Sequence, residues 1–135
     1  MSRNRSMPSS AIIPDLPYPD VREAVDWLCR AFGFKERLRI GNHRAQLSFG
    51  EGSLVVTHRS DGSTASFSIM VRVNEIDTHH ERARASGARV ISQPADYPYG
   101  ERQYTVEDPG GHRWTFSQTI ADVDPKIWGG ILFND

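Results

Sequence analysis

The feature that most constrains this chain is an internal repeat. Asp20 opens a stretch in which Val21, Ala24, Val25 and Leu28 recur at i, i+3, i+4 and i+7, one face of an amphipathic helix. Asp20 can accept from the free amides of a first turn, and Gly33 supplies a left-handed stop. Asn74 opens a matching stretch that closes at Gly87, with the same distance from cap to glycine. Ile76, His80, Ala83 and Gly87 fall on its expected inner face. A polar cap, about three turns of helix and a closing glycine thus occur twice.

Each helix has strand candidates around it. Residues 34–40, 43–49 and 53–58 follow the first, separated by Gly41-Asn42 and by Gly50-Glu51-Gly52, both suited to hairpin turns. Residues 89–92, 102–107 and 113–117 follow the second. Asp108-Pro109-Gly110-Gly111 is a strong turn, because proline fixes φ at one central position and glycine tolerates positive φ at the next. Residues 11–16 and 65–73 precede the helices as further strands. The order is strand–helix–strand–strand–strand, twice: an α+β chain of two βαβββ modules, about 11–60 and about 65–119, forming one domain over 11–119. Residues 61–64 read as a linker and 93–101 as a long connection. Residues 1–10 read as a disordered lead-in, and 120–135 as a tail carrying Trp128, Ile131, Leu132 and Phe133.

With 16 basic and 17 acidic residues and a net charge of −1, the chain offers no electrostatic reason to expect nucleic acid or an anionic membrane as partner. No apolar run approaches the roughly 20 residues of a membrane span. Cys29 is the single cysteine, so no intrachain disulfide is expected and a cytoplasmic location is the natural reading. Its place in an apolar helical stretch predicts a small buried hydrophobe rather than a nucleophile.

Three segments carry a resemblance. Asp20 through Phe34 matches the pattern D-x-x-x-A-x-x-W-x-x-x-x-F-G-F, Gly87-Ala88-Arg89-Val90 closes the second helix, and Tyr99-Gly100-Glu101-Arg102 precedes Glu107-Asp108-Pro109-Gly110-Gly111-His112-Arg113-Trp114. In their order and spacing, over residues 11–119, these resemble the vicinal-oxygen-chelate superfamily of glyoxalases, bleomycin-resistance proteins and dioxygenase-like proteins. The resemblance implies that two modules pair into a curved mixed sheet around a central cavity, with helices on the outer faces and commonly with a second copy as a homodimer. Fold alone does not decide function.

Metal-dependent members of that superfamily place His, Gln or Glu on the first and last strands of each module, since these donors suit divalent transition metals and leave positions open for substrate. Carried over from the helix caps and the turn, those positions fall on Ile13, Ser68 and Thr115, and the repeat maps Thr115 onto Val56. Two hydrocarbons and two neutral hydroxyls are not a metal set, so no metal and no other cofactor is expected. By alternation His58 shares the face of Val56, and Arg113, Thr115 and Ser117 share the cavity face of the last strand, with Trp114 and Phe116 beneath a helix. Arg113 could clamp a carboxylate or phosphate. Of His79 and His80, one should pack beneath the sheet and the other meet solvent; His43 and His112 read as surface groups. Tyr97, Tyr99 and Trp128 suit either a flat ligand or a dimer interface.

The expected ligand-binding residues are therefore Ile13, Val56, His58, Ser68, Arg113, Thr115 and Trp128, with no catalytic residue assigned. They describe a metal-independent protein that binds a small molecule, sequestering a drug or metabolite. One alternative is a metal-dependent lyase, isomerase or dioxygenase with an atypical site that recruits His58. Another is an interaction module built on Tyr97, Tyr99, Trp128 and Phe133.

Overall fold

The computed structural model describes residues 4–10, 12–59 and 67–132. Ala11, the linker 61–64, the start of the strand expected from Ala65, and Phe133 lie outside the described residues. The elements are β1 (Asp15–Tyr18), α1 (Val21–Phe32), β2 (Lys35–Ile40), β3 (Arg44–Phe49), β4 (Gly52–His58), β5 (Ser68–Arg72), α2 (Ile76–Ala85), β6 (Arg89–Tyr97), β7 (Glu101–Glu107) and β8 (Arg113–Thr119). A short 3-10 helix, Pro125–Trp128, follows in the tail. The βαβββ order occurs twice, giving one four-stranded sheet ordered β1-β4-β3-β2 and another ordered β5-β8-β7-β6. Within each, the outer pair β1/β4 or β5/β8 is parallel and the hairpins are antiparallel. The chain divides into two compact units between Phe67 and Ser68, the turn Pro109–His112 belonging to the first.

In the first unit, α1 begins where its cap places it. The Asp20 carboxylate accepts from the Glu23 amide at 3.1 Å, and Gly33, at φ 87°, ends the helix by donating to the Cys29 carbonyl. Val21, Val25, Leu28, Ala31 and Phe32 are buried against a sheet face made of Leu16, Ala45, Leu47, Leu54 and Val56, none of them more than 3% exposed. Burying side chains of this size stabilises by roughly 1.5–3 kcal/mol each. Cys29 is only half-buried rather than part of the core, and burial pushes its thiol pKa up.

Glu36, on the helix-facing side of β2, receives both Arg22 nitrogens at 2.7 and 2.9 Å and is also bound by Arg39. The hydrogen bonds from Arg22, then from Arg39, outweigh burial and lower its pKa from 4.5 to about 2. A carboxylate whose folded pKa is depressed contributes stability above its unfolded pKa and loses it as the pH falls through the folded value. Unfolding followed from pH 6 to pH 2 is therefore expected to show a contribution of about 1 kcal/mol that fades below about pH 4.5 and is missing from Glu36→Gln. Identical pH profiles for the two proteins would contradict this.

Residues 4–10 group with the first unit. They form hydrogen bonds to the first sheet and its β3–β4 turn, including Gln46 Nε2 to the Ser6 carbonyl at 2.8 Å and Ser10 Oγ to the Glu51 carbonyl at 2.7 Å, and Pro8 is buried.

In the second unit, α2 starts one residue later than the Asn74 cap predicts. Its N-cap, Glu75, makes no side-chain bond; instead the Ile76 amide donates to Gln118 Oε1 on β8 at 2.9 Å. A first-turn amide satisfied from the sheet removes the need for a local cap. Ile76 and Ala83 are fully buried over Tyr104, Val106, Trp114 and Phe116, all 0% exposed. His79 packs on Phe116 with ring centroids 4.1 Å apart and planes tilted by 39°, its Nδ1 lies 2.6 Å from Tyr104 Oη, and His80 sits edge-on to Tyr104. Both histidines are thus half-buried, rather than one in and one out.

The connection expected over 93–101 is mostly strand, since β6 continues to Tyr97 through Pro94. Its pairing slips between Val90 and Ser92 and again between Ser92 and Ala95. An edge strand with bulges is where a sheet tolerates proline. Among the described residues no helix is long and apolar enough to cross a membrane.

Candidate functional site

Strand register decides which side chains share a face. In the second sheet, Ser68, Met70 and Arg72 pair with Arg113, Thr115 and Ser117, and β7 adds Glu101, Gln103 and Thr105 opposite Thr119, Ser117 and Thr115. Trp114 and Phe116 lie on the other side, beneath α2, as their parity predicts. The face turned away from α2 is therefore polar and hydroxyl-rich, with Met70, 65% exposed, as a bare apolar spot.

These side chains form a connected network. Tyr99 Oη donates to Gln103 Oε1 at 3.1 Å, Gln103 Nε2 donates to Ser117 Oγ at 3.0 Å, and Ser117 Oγ donates to Glu101 Oε1 at 2.6 Å. Thr105 and Thr115 share a hydrogen bond at 2.9 Å. Burial raises the Glu101 pKa, but hydrogen bonds with Ser117 and Thr119 and the charge of Arg72 outweigh it, so the carboxyl sits below its ordinary range. Glu101 is consequently an ionised acceptor in the network.

Aromatic rings border the same region. Tyr97 and Tyr99 stack with centroids 5.6 Å apart and planes 14° apart, and Trp128 meets Tyr99 edge-on at 5.7 Å. The tail is brought there by Gly100. Its carbonyl accepts from the Ile120 amide at 2.9 Å, its φ is 84°, and a Cβ there would stand 2.3 Å from the Ala121 carbonyl oxygen. Only glycine fits such a close approach.

Ser68, Arg113 and Thr115 thus share a face, and Trp128 reaches the aromatic cluster of the same unit. Val56 and His58 require correction. Val56 pairs with Leu16 and Ala45, all fully buried on the α1 side. His58, two residues on and opposite Tyr18, follows it to that side and is exposed at the strand's end. A one-residue slip in register exchanges the faces of a strand. Since Asp15 pairs with Val55 as Met70 pairs with Thr115, the counterpart of Thr115 is Val55. Ile13 is half-buried and precedes β1, which begins at Asp15 rather than near residue 11.

With Val55 in place of Val56, the family's four positions still hold two hydrocarbons and two neutral hydroxyls, a donor set that does not fit a divalent metal. Among the described residues no group of three or more His, Cys, Asp or Glu side chains is placed to hold a metal ion.

His112 also departs from expectation, being fully buried rather than on the surface. Its Nδ1 accepts from the Phe67 amide at 3.1 Å, which leaves the proton on Nε2 to donate to the Pro17 carbonyl at 2.9 Å. Its role is structural. Beside it, Tyr18, Trp27, Leu28 and Gly110 line a pocket of about 120 Å³, together with Asp20 and Glu23.

Sequence reasoning missed Glu101 and Gln103 as face residues. The signal was the alternation of Glu101, Gln103 and Thr105 with the buried Tyr104 and Val106.

Comparison with known proteins agrees with this architecture. The model of the Glyoxalase/Bleomycin resistance protein/Dioxygenase superfamily matches residues 13–116. The structure of TioX from Micromonospora sp. ML1 is similar with a TM-score of 0.71 and 34% identity, over 85% of this chain and 100% of that one. TnmS3, an antibiotic binding protein from Streptomyces sp. CB03234, shares the fold at a TM-score of 0.67 and 22% identity, over 82% of this chain and 98% of that one. An uncharacterised protein of Mycobacterium bovis is 28% identical over 84% of this chain and 86% of its own length. The chain belongs to the Glyoxalase/Bleomycin resistance protein/Dioxygenase superfamily.

Proposed function

We propose that this protein binds a small molecule without a metal and holds it unchanged, sequestering a drug or metabolite on the face of β5–β8–β7–β6 turned away from α2. The observation that carries the reading is the pairing of a neutral donor set at the family's ligand positions with a hydroxyl- and amide-rich face bordered by Tyr97, Tyr99 and Trp128. Stacked rings give a flat ligand contact area at little entropic cost, and a few fixed polar groups orient it. Ser68, Thr115 and Arg113 offer hydroxyl and guanidinium donors. That TnmS3 is an antibiotic binding protein of the same fold supports antibiotics as the compounds to try first. Ile127, Trp128, Ile131 and Leu132, between 48% and 77% exposed, favour a homodimer with the tail in the interface, and the single cysteine favours the cytoplasm.

A thermal-shift screen against aromatic antibiotics tests the reading. A ligand at about 100 times its Kd stabilises by about 2.7 kcal/mol, which raises the Tm of a chain of this size by several degrees. For a ligand found in this way, Trp128→Ala and Tyr97→Ala are each expected to weaken binding about tenfold, the worth of one aromatic contact. A screen in which nothing shifts, or stoichiometric transition metal in carefully purified protein, would overturn the proposal.

A further inference from the structure

The first sheet also has a face turned away from its helix, and there the chain covers itself. Gln46 on β3 and Val55 on β4 are partners in register and only 4% and 5% exposed, although α1 packs on the opposite side. Residues 4–10 lie against this face. Gln46 Nε2 donates to the Ser6 carbonyl at 2.8 Å, and Arg37 Nη2 donates to the Arg5 carbonyl at 2.9 Å. A second Arg37 nitrogen binds Gln46 Oε1, which fixes the two donors relative to each other. Pro8 is buried, and Ser10 anchors the end of the segment on Ser53 and the Glu51 carbonyl.

The form of this attachment is informative. Arg37 and Gln46 read main-chain carbonyls rather than side chains. Asn4, Arg5, Ser6, Met7 and Ser9 are all exposed, and the segment joins no strand ladder. Its internal turn is self-contained, with the Met7 amide on the Asn4 carbonyl and the Ser6 amide on Asn4 Oδ1. A segment held by two carbonyls, one proline ring and one serine is replaceable by another chain that offers the same groups. It also opens at far lower free energy than the core does.

The geometry points to a second binding face on β2–β4, which takes the carbonyl oxygens of a proline-containing peptide turn and which residues 4–10 fill as a displaceable strap. This is a different face from the one on β5–β8–β7–β6, and it stands whether or not that reading holds.

The full-length Pro8→Asp variant tests it, since a carboxylate cannot occupy the buried proline site unpaired and the strap is released. The probe is a fluorescein-labelled synthetic peptide of residues 1–10, followed by fluorescence anisotropy. Binding to Pro8→Asp is expected to be at least tenfold tighter than to wild type. Adding Arg37→Ala and Gln46→Ala should reverse that gain. Equal binding to wild type and Pro8→Asp, indifference to Arg37 and Gln46, or no binding to a Pro8→Asp protein with native circular dichroism would each overturn it. Should Pro8→Asp not fold, wild-type protein gives a second measurement. Trypsin is expected to cut after Arg5 while the bonds after Arg22 and Arg30, in α1, stay intact. Equal resistance at all three would show that the strap does not open, and would overturn the inference.

Discussion

Replacing Trp114 with alanine is expected to lower the free energy of unfolding by about 3–5 kcal/mol, much of what a domain of this size possesses. Trp114 is fully buried beneath α2, stacked with Phe116 at an interplanar angle of 6°, and its indole N–H donates to Asp108 Oδ2 at 3.0 Å. Trp114→Ala removes the ring and takes a donor away from a carboxylate that is 4% exposed. Trp114→Phe separates the two effects, because it keeps a ring in the stack and loses only the donor and some volume; about 2 kcal/mol is expected. Urea unfolding of the three proteins measures both differences. A Trp114→Ala protein within about 1 kcal/mol of wild type would mean that this ring is not central to the second unit's core.

His112→Ala ranks next, with an expected loss of about 3–4 kcal/mol. The imidazole satisfies the Phe67 amide and the Pro17 carbonyl together and meets the Tyr18 ring edge-on at 4.8 Å. His112→Phe keeps the volume and the ring contact but supplies neither bond, so a loss of about 2 kcal/mol is expected from the two stranded backbone groups. If His112→Phe melts with wild type, the hydrogen bonds contribute nothing and the residue matters only as filling.

The repeat was legible because each copy begins and ends on residues with local reasons for being there. Asp20 caps and Gly33 stops α1 as read, and the βαβββ order followed from turn chemistry between the strands. The second helix start was misplaced because its free amide is met by Gln118, whose place over that amide depends on tertiary folding. Val56 went to the wrong face for a related reason. Leu54, Val55 and Val56 are all apolar and all buried, so this stretch of β4 has no alternation from which to read parity. Arg113, Thr115 and Ser117 sit on a strand that does alternate, and their shared face was readable. His112 looked like a surface group because turns usually are exposed; its burial depends on Tyr18 and Phe67, far away in sequence. Residues 4–10 carry no periodic pattern, and the contacts that hold them fall on backbone carbonyls, which composition does not encode.

The bulged, proline-bearing β6 has a consequence for how copies of this protein can meet. An outer strand with regular amides is a template on which another chain can polymerise. Pro94 removes an amide from that row and the two register slips twist the rest out of line. On the other sheet the outer strand β2 is lined with Lys35, Glu36, Arg37 and Arg39. Neither of these two edges invites backbone-to-backbone growth, so fibres built through β2 or β6 are not expected at high concentration.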